Sequence, residues 1–249
     1  METKYLRKVL GCIRRAAEDY SMISAGDNIA VGLSGGKDSL VLTAALAVYR
    51  KFSEEPFTLS AINIDMGFGG VEAERAALRD LMRELDVTYY EVRTDIAEIV
   101  FDIRKESNPC SLCSKMRRGA LNTKCLEIGA NKLALGHNAD DVADTFFLSL
   151  IYEGRLNTFQ PVSYMSRTGM TLIRPMIYAH EADIKGAVNK LELPVLPNPC
   201  PANHATKREY MKNLISSISK DIPFARDRII SAVTSPERYS LFPPKNRKK

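Results

Sequence analysis

Ser34-Gly35-Gly36-Lys37-Asp38-Ser39 constrains this chain more than any other stretch. Before it runs Asn28-Ile29-Ala30-Val31-Gly32-Leu33, which reads as a buried strand. After it, Leu40 to Tyr49 carries apolar and small residues that suit a buried helix. A strand, a glycine turn and a helix start form an anion site, because the first N–H groups of the helix point outward and its dipole favours negative charge. Gly35 and Gly36 permit positive φ and close approach of the backbone. Ser34 and Ser39 contribute hydroxyls and Lys37 a mobile charge.

Strand and helix patterns alternate along most of the rest. Helix patterns cover residues 3–21 and about 72–85, and a short one follows Asp95 through Ile103. Others cover about 114–128, 139–152 with Val142, Phe146, Leu150 and Ile151 at core spacing, 180–191, 206–219 and 223–234. Strand patterns cover 57–64, 87–92, 132–136 and 171–175. With the first strand these predict an α/β fold with a five-stranded, mostly parallel, Rossmann-like sheet, helices on both faces and helices at each terminus. The expected organisation is an N-terminal helix on the core (1–24), a nucleotide-binding domain (25–200), C-terminal helices (201–240) and a basic tail (241–249). Ligands in such sheets sit beyond the strand C-termini. Three clusters fall there: the glycine loop, Asp65 after the second strand, and Gly136-His137-Asn138-Ala139-Asp140-Asp141 after the fourth.

The 249 residues hold no apolar run near the roughly eighteen that a membrane helix needs, and Met1 to Tyr5 lacks a signal-peptide core. The expectation is a cytoplasmic protein without membrane contact, and a homodimer is among the assemblies allowed. Its net charge of +5 is unevenly spread. Residues 104–124 hold six basic residues against Glu106, whereas residues 65–98 hold nine acidic residues against four arginines. A positive region at the middle of the chain suits nucleic acid or a phosphorylated substrate, or else is a solvated helix face.

An aspartate within an anion-binding loop calls for a cation, so Asp38 points to Mg²⁺. Asp140 or Asp141 could add a second carboxylate; one of them could instead serve the helix N-terminus, and Asp141 is favoured for the metal. The five cysteines belong to a reducing compartment, where metal ligation or burial is expected over disulfides. Cys12 reads as buried. Cys110, Cys113 and Cys200 fit three readings on spacing alone: an iron–sulfur cluster with one open iron, a zinc site completed by His204, or inert thiols.

The loop is neither the Gly-x4-Gly-Lys-[Ser/Thr] phosphate loop nor the dinucleotide fingerprint. It resembles, in full, the PP-loop of the N-type ATP pyrophosphatases, which cleave ATP between the α and β phosphates, adenylate a carbonyl oxygen and release pyrophosphate. Pro109 to Gly119, Leu135 to Asp141 followed by Asp144-Thr145-Phe146-Phe147-Leu148, Ile173-Arg174-Pro175-Met176 and Cys200 ahead of a basic helix are similar, in order, to the tRNA 2-thiocytidine synthetase (TtcA) family. That resemblance runs from about residue 5 to residue 220. It implies an adenine nucleotide alpha hydrolase-like fold and ATP-dependent thiolation of tRNA, most plainly at C2 of cytidine, with a [4Fe-4S] cluster on Cys110, Cys113 and Cys200. Carried over by position, Ser34 to Ser39 bind the ATP phosphates and Asp38 and Asp141 lie near Mg²⁺. Arg117 faces the cluster or the adenylate, and a cysteine desulfurase or free sulfide donates sulfur. Asn138 replaces a histidine frequent in the family, and Asp144 a glutamate. The competing readings are a lysidine synthetase-like enzyme without sulfur chemistry, thiolation of another nucleobase or a small molecule, and a nucleotide-binding regulatory module.

Overall fold

Asn28–Gly32 (β1) is flanked on both edges by parallel neighbours, and its three central residues are buried. A strand covered on both faces has no polar side to show, which is why it reads as a continuous apolar run. These features come from a computed structural model that describes residues 2–69, 72–105, 109–201 and 207–239. The chain divides into two compact units, residues 1–139 with 160–205 and residues 140–159 with 206–249.

The first unit holds the sheet. After a 3₁₀ turn at Thr3–Leu6, Arg7–Asp19 (α1) buries Val9, Ile13, Ala16 and Ala17 along one stripe. Lys37–Tyr49 (α2) is buried almost all round, with ten of its thirteen residues inside, so its apolar composition marks a core helix and not an amphipathic one. Thr58–Asp65 (β2), Glu72–Glu84 (α3) and Thr88–Arg93 (β3) come next, then a π-helical segment, Glu98–Ile103. Pro109–Glu127 (α4) leads into Lys132–Ala134 (β4). Ala139–Leu148 (α5) lies between β4 and the fifth strand in the chain. Val162–Met165 (β5), Met170–Ile173 (β6) and Glu181–Leu191 (α6) complete the unit.

The strand order is β3-β2-β1-β4-β6-β5, parallel except for β5, which pairs antiparallel with β6. The α/β class and mostly parallel sheet agree with the expectation; the number of strands does not. The sixth strand, β5, is a four-residue edge strand with Tyr164 exposed, too short for its alternation to register. Its hairpin closes where Thr168 and Gly169 donate to the Met165 carbonyl, with Gly169 at φ 69°. A second correction concerns the cysteine pair: Cys110 and Cys113 lie inside α4, which starts at Pro109 rather than after them. Proline at a first helical position needs no N–H acceptor, so it opens the helix instead of delaying it.

One face of the sheet buries Ala30, Ile62, Ile64, Leu133 and Leu172 against Ile96, Val100, Leu121 and Cys125. The sheet's opposite end is closed by charge. Lys132 Nζ lies 2.6 Å from Asp27 Oδ2 and donates to the Met22 carbonyl at 2.9 Å. Asp27 also accepts from Asn131 Nδ2 at 2.8 Å and from the Ser24 N–H at 2.7 Å.

The second unit contains α5, a π turn at Ser149–Glu153, Lys207–Asp221 (α7) and Ala225–Thr234 (α8). Asp140 pairs with Arg226 of α8 at 2.5 Å and Asp141 with Arg208 of α7 at 3.6 Å. Lys207 sits over the Tyr152 ring, 4.5 Å from its centroid. Val142 is buried as expected, but Leu150 and Ile151, read as core, are exposed. The helix widens into its π turn at Ser149, and the change of phase carries both off the buried face before Gly154 ends it at φ 62°. Asp144 is only 3% exposed, and its Oδ1 has no hydrogen-bond partner among the described residues. Burial pushes its carboxyl up to about 6, against the pull of Arg226, with Asp141 adding to the rise and Arg208 and Lys212 opposing it.

The two buried carboxylates set the stability in opposite senses. Asp27→Ala leaves the Lys132 ammonium buried without its carboxylate and should cost about 3–5 kcal/mol in chemical denaturation. Asp144 has a raised pKa in the folded chain, so the folded state binds its proton more tightly than the unfolded state does. Its share of stability is therefore full below the ordinary aspartate range near 4 and is lost as pH rises towards about 6. Asp144→Asn should flatten that decline and gain up to about 3 kcal/mol over the unmodified chain at pH 8, read from denaturation midpoints across pH.

Candidate active site

The chain runs from β1 to β2 and β3 on one side, then returns to place β4 on the other side of β1. The β1–β4 junction is thus the topological switch point, where a parallel sheet opens a crevice beyond its strand ends. The PP-loop leaves β1 there and Gly136-His137-Asn138 leaves β4 beside it. A Cβ on Gly136 would lie 3.0 Å from the Asp38 carbonyl carbon and 3.2 Å from the Ser39 nitrogen. Only glycine lets the two segments approach so closely.

The loop is knitted by its own hydroxyls. Ser39 Oγ donates to the Gly36 carbonyl at 2.9 Å and accepts from the Ser34 N–H at 3.1 Å. Ser34 Oγ lies 3.1 Å from Ser39 Oγ and accepts from the Gly36 N–H at 3.3 Å. Gly35 takes φ 78° and lies under Leu196, whose side chain would be 2.8 Å from any Cβ there. The Leu196 N–H donates to the Gly35 carbonyl at 2.9 Å. This pins the proline-rich segment leading to Cys200 onto the back of the loop. Behind it, Asn63 Nδ2 donates to the Leu33 carbonyl at 2.8 Å and fixes the exit from β1. The helix start then presents the N–H groups that no intrahelical carbonyl can take.

Asp38 accepts from Asn138 Nδ2 at 3.0 Å through Oδ1 and lies 2.6 Å from Lys37 Nζ through Oδ2. Lys37 Nζ is also 3.1 Å from Oε1 of Glu181, the first residue of α6. Burial alone would lower the Lys37 pKa, but the two carboxylates outweigh it and hold it above the ordinary lysine value. Glu181 is a site residue that the sequence does not reveal; an acidic residue at a helix start has an ordinary capping explanation.

His137 Nδ1 accepts from Arg174 Nε at 3.3 Å. Arg174 also donates to the Gln160 carbonyl and reaches Ser163 Oγ at 3.5 Å. Its guanidinium is lowered to about 10 by burial and by the nearby charge of Arg118. Asp65, by contrast, is engaged at the end of β2, with Arg75 at 2.9 Å and the Gly67 N–H at 3.0 Å. Asp140 and Asp141 belong to the second unit, where Arg226 and Arg208 pair with them.

Cys110 and Cys113 stand three residues apart on one face of α4, Cys110 exposed and Cys113 half-buried. Burial raises the Cys113 thiol, Arg117 one turn on lowers it, and Cys200 and Cys110 push it up again. Arg117, Cys200 and Cys110 thus all lie within electrostatic reach of Cys113. Cys200 is itself half-buried, its N–H donating to Asn198 Oδ1 at 3.1 Å. Among the described residues no three His, Cys, Asp or Glu side chains are gathered closely enough for one metal ion. Three thiols are the donor set of a four-iron cluster with one open iron, whereas a structural zinc site takes four protein ligands. His204, the fourth zinc ligand of that alternative, lies outside the described residues. Cys12 is half-buried and within 3.4 Å of the Tyr178 carbonyl, and Cys125 is fully buried with its thiol pushed up to about 11.

The PP-loop domain family matches residues 7–217. The tRNA-cytidine(32) 2-sulfurtransferase of Syntrophotalea carbinolica is 35% identical over 236 residues, 94% of this chain and 90% of that protein. The protein of the same name from Pseudomonas syringae pv. tomato is 34% identical over 240 residues, 96% of this chain and 86% of that one. Among solved structures, the U34-tRNA thiolase NcsA from Methanococcus maripaludis with its [4Fe-4S] cluster superposes with a TM-score of 0.76 at 26% identity, covering 95% of this chain and 80% of that one. Family match and near full-length relatives agree: the chain belongs to the PP-loop proteins, in the family of the tRNA-cytidine(32) 2-sulfurtransferases.

Proposed function

We propose that this protein is an ATP-dependent tRNA thiolase that replaces the C2 oxygen of a cytidine with sulfur, at position 32 as its relatives' names state. The observation that carries the reading is the placement, in one unit, of a complete PP-loop and of Cys110, Cys113 and Cys200, the last on the segment that Leu196 bonds to the loop. In the balanced reaction the C2 carbonyl oxygen attacks the α-phosphorus of ATP, and the bond to the β-phosphate breaks to release pyrophosphate. Sulfur then bonds to C2 while the C2–O bond breaks, and AMP leaves with the oxygen.

The N–H groups at the start of α2, with Ser34, Ser39 and Lys37, bind the phosphates and stabilise the charge gathering on pyrophosphate. In this reading Asp38 and Asp141 would hold Mg²⁺, which when bound would offset the charge of the triphosphate. The Nε of Arg174 donates to His137 Nδ1, which holds the ring at the end of β4. Asp65, Gly136 and Asp140 complete the nucleotide site in this reading. Cys110, Cys113 and Cys200 would hold a [4Fe-4S] cluster, which when bound supplies sulfur at the iron that no thiolate ligates. Arg117, beside these thiols, faces the anionic adenylate. Lys115, Arg117 and Arg118 are exposed on α4 and can take tRNA phosphates. A cysteine desulfurase or free sulfide is the sulfur source. No helix among the described residues is long and apolar enough to cross a membrane.

Anaerobically purified protein should contain iron and acid-labile sulfide in equal amounts and absorb broadly in the visible. A colourless, zinc-loaded protein that resists reconstitution would refute the cluster. Cys110→Ala should reduce tRNA thionucleoside formation to background and leave ATP binding within about twofold of the unmodified chain. Loss of ATP binding instead would make the cysteines structural.

A further inference from the structure

Lys37 is shared between two carboxylates of different character. Asp38 is its neighbour in the first turn of α2 and is held in place by Asn138. Glu181 arrives from α6, packed against α2 but 144 positions later in the chain. Its side chain is only 13% exposed, and its second oxygen lies 3.4 Å from Lys185. If Lys37 moves away, Glu181 keeps a cation and Asp38 keeps the Asn138 amide. Neither carboxylate is stranded, so the lysine can leave without the large penalty of an unpaired buried charge.

We infer that Glu181 is a latch for Lys37: it holds the ammonium in the nucleotide-free chain and takes it back from pyrophosphate once ATP is cleaved. This rests on the reading of the loop as an ATP site. A carboxylate and a phosphate are both anions competing for one ammonium, so a tethered Glu181 weakens nucleotide binding and speeds departure of the leaving group. Pyrophosphate is the more highly charged ligand of a helix N-terminus and would otherwise be a tight product. Glu181 is thus a positioning residue. It acts through Lys37 and touches no reacting atom.

Equilibrium titration with ATP and magnesium separates the outcomes, using the full chain and Glu181→Gln, Glu181→Asp, Lys37→Met and the Lys37→Met/Glu181→Gln pair. Glu181→Gln keeps the shape and removes the charge, so ATP should bind about three- to tenfold tighter and pyrophosphate should inhibit at correspondingly lower concentration. In the Lys37→Met background the same change should have less than about a twofold effect. Glu181→Asp, which keeps the charge on a shorter arm, should fall between, and it serves as the test if Glu181→Gln does not fold. Unchanged or weaker ATP binding in the Glu181 variants would overturn the latch. So would equal tightening with and without Lys37, which would mean that Glu181 repels the nucleotide directly. Absence of ATP binding by the unmodified chain would overturn the nucleotide reading, and the latch with it.

Discussion

The site depends on one close approach, that of Gly136 to the backbone of Asp38 and Ser39. A parallel sheet brings two strand ends side by side at its switch point, but the segments leaving those strands must still fit into the same space. Here a helix start meets a bare glycine, and the amide of Asn138, two residues on, reaches Asp38 at 3.0 Å. A side chain at position 136 would meet backbone atoms, which cannot swing aside as a side-chain end can. The phosphate loop is therefore braced by the β4 end as much as by its own serine hydroxyls.

Once the loop is fixed, the charges around it are constrained as well. A helix start favours anions, so Asp38 in its first turn shares the place that a phosphate would take, and burial disfavours the charge on Lys37. Asn138 answers the first from the end of β4 and Glu181 the second from α6, where Lys185 of the same helix pairs with Glu181 in turn. The result is a connected row of polar groups from the β4 end through α2 to α6. In such a row the lysine can move while Glu181 keeps Lys185 and Asp38 keeps the Asn138 amide. That property suits a site that must bind a polyanion and then give part of it up.

Much of this was legible in the residues, for definite reasons. Buried parallel strands and a core helix leave long apolar runs, so β1, β2 and α2 stand out, and a glycine loop between them has few structural explanations. Four features were hidden. The edge strand β5 is too short to show alternation. Pro109 reads as a break yet opens α4, so the cysteine pair rides on a helix face. The π turn after Leu148 shifts the phase that made Leu150 and Ile151 read as core. Glu181 is invisible for another reason: its importance lies in a contact across 144 residues of chain, and nothing local distinguishes it from any acidic helix start.

The same limit applies to Leu196. In sequence it is an apolar residue among prolines. In the fold its N–H donates to the Gly35 carbonyl and its side chain fills the space that glycine leaves open. Four residues later comes Cys200, within electrostatic reach of Cys113. An enzyme that only activated a carbonyl with ATP would have no use for a cysteine on a stiff strap anchored to its phosphate loop. Prolines at 194, 197, 199 and 201 limit the freedom of that strap, so the position of the loop is passed on to the thiol. Adenylation and sulfur insertion must meet at one carbon, and the strap gives the two chemistries a common frame.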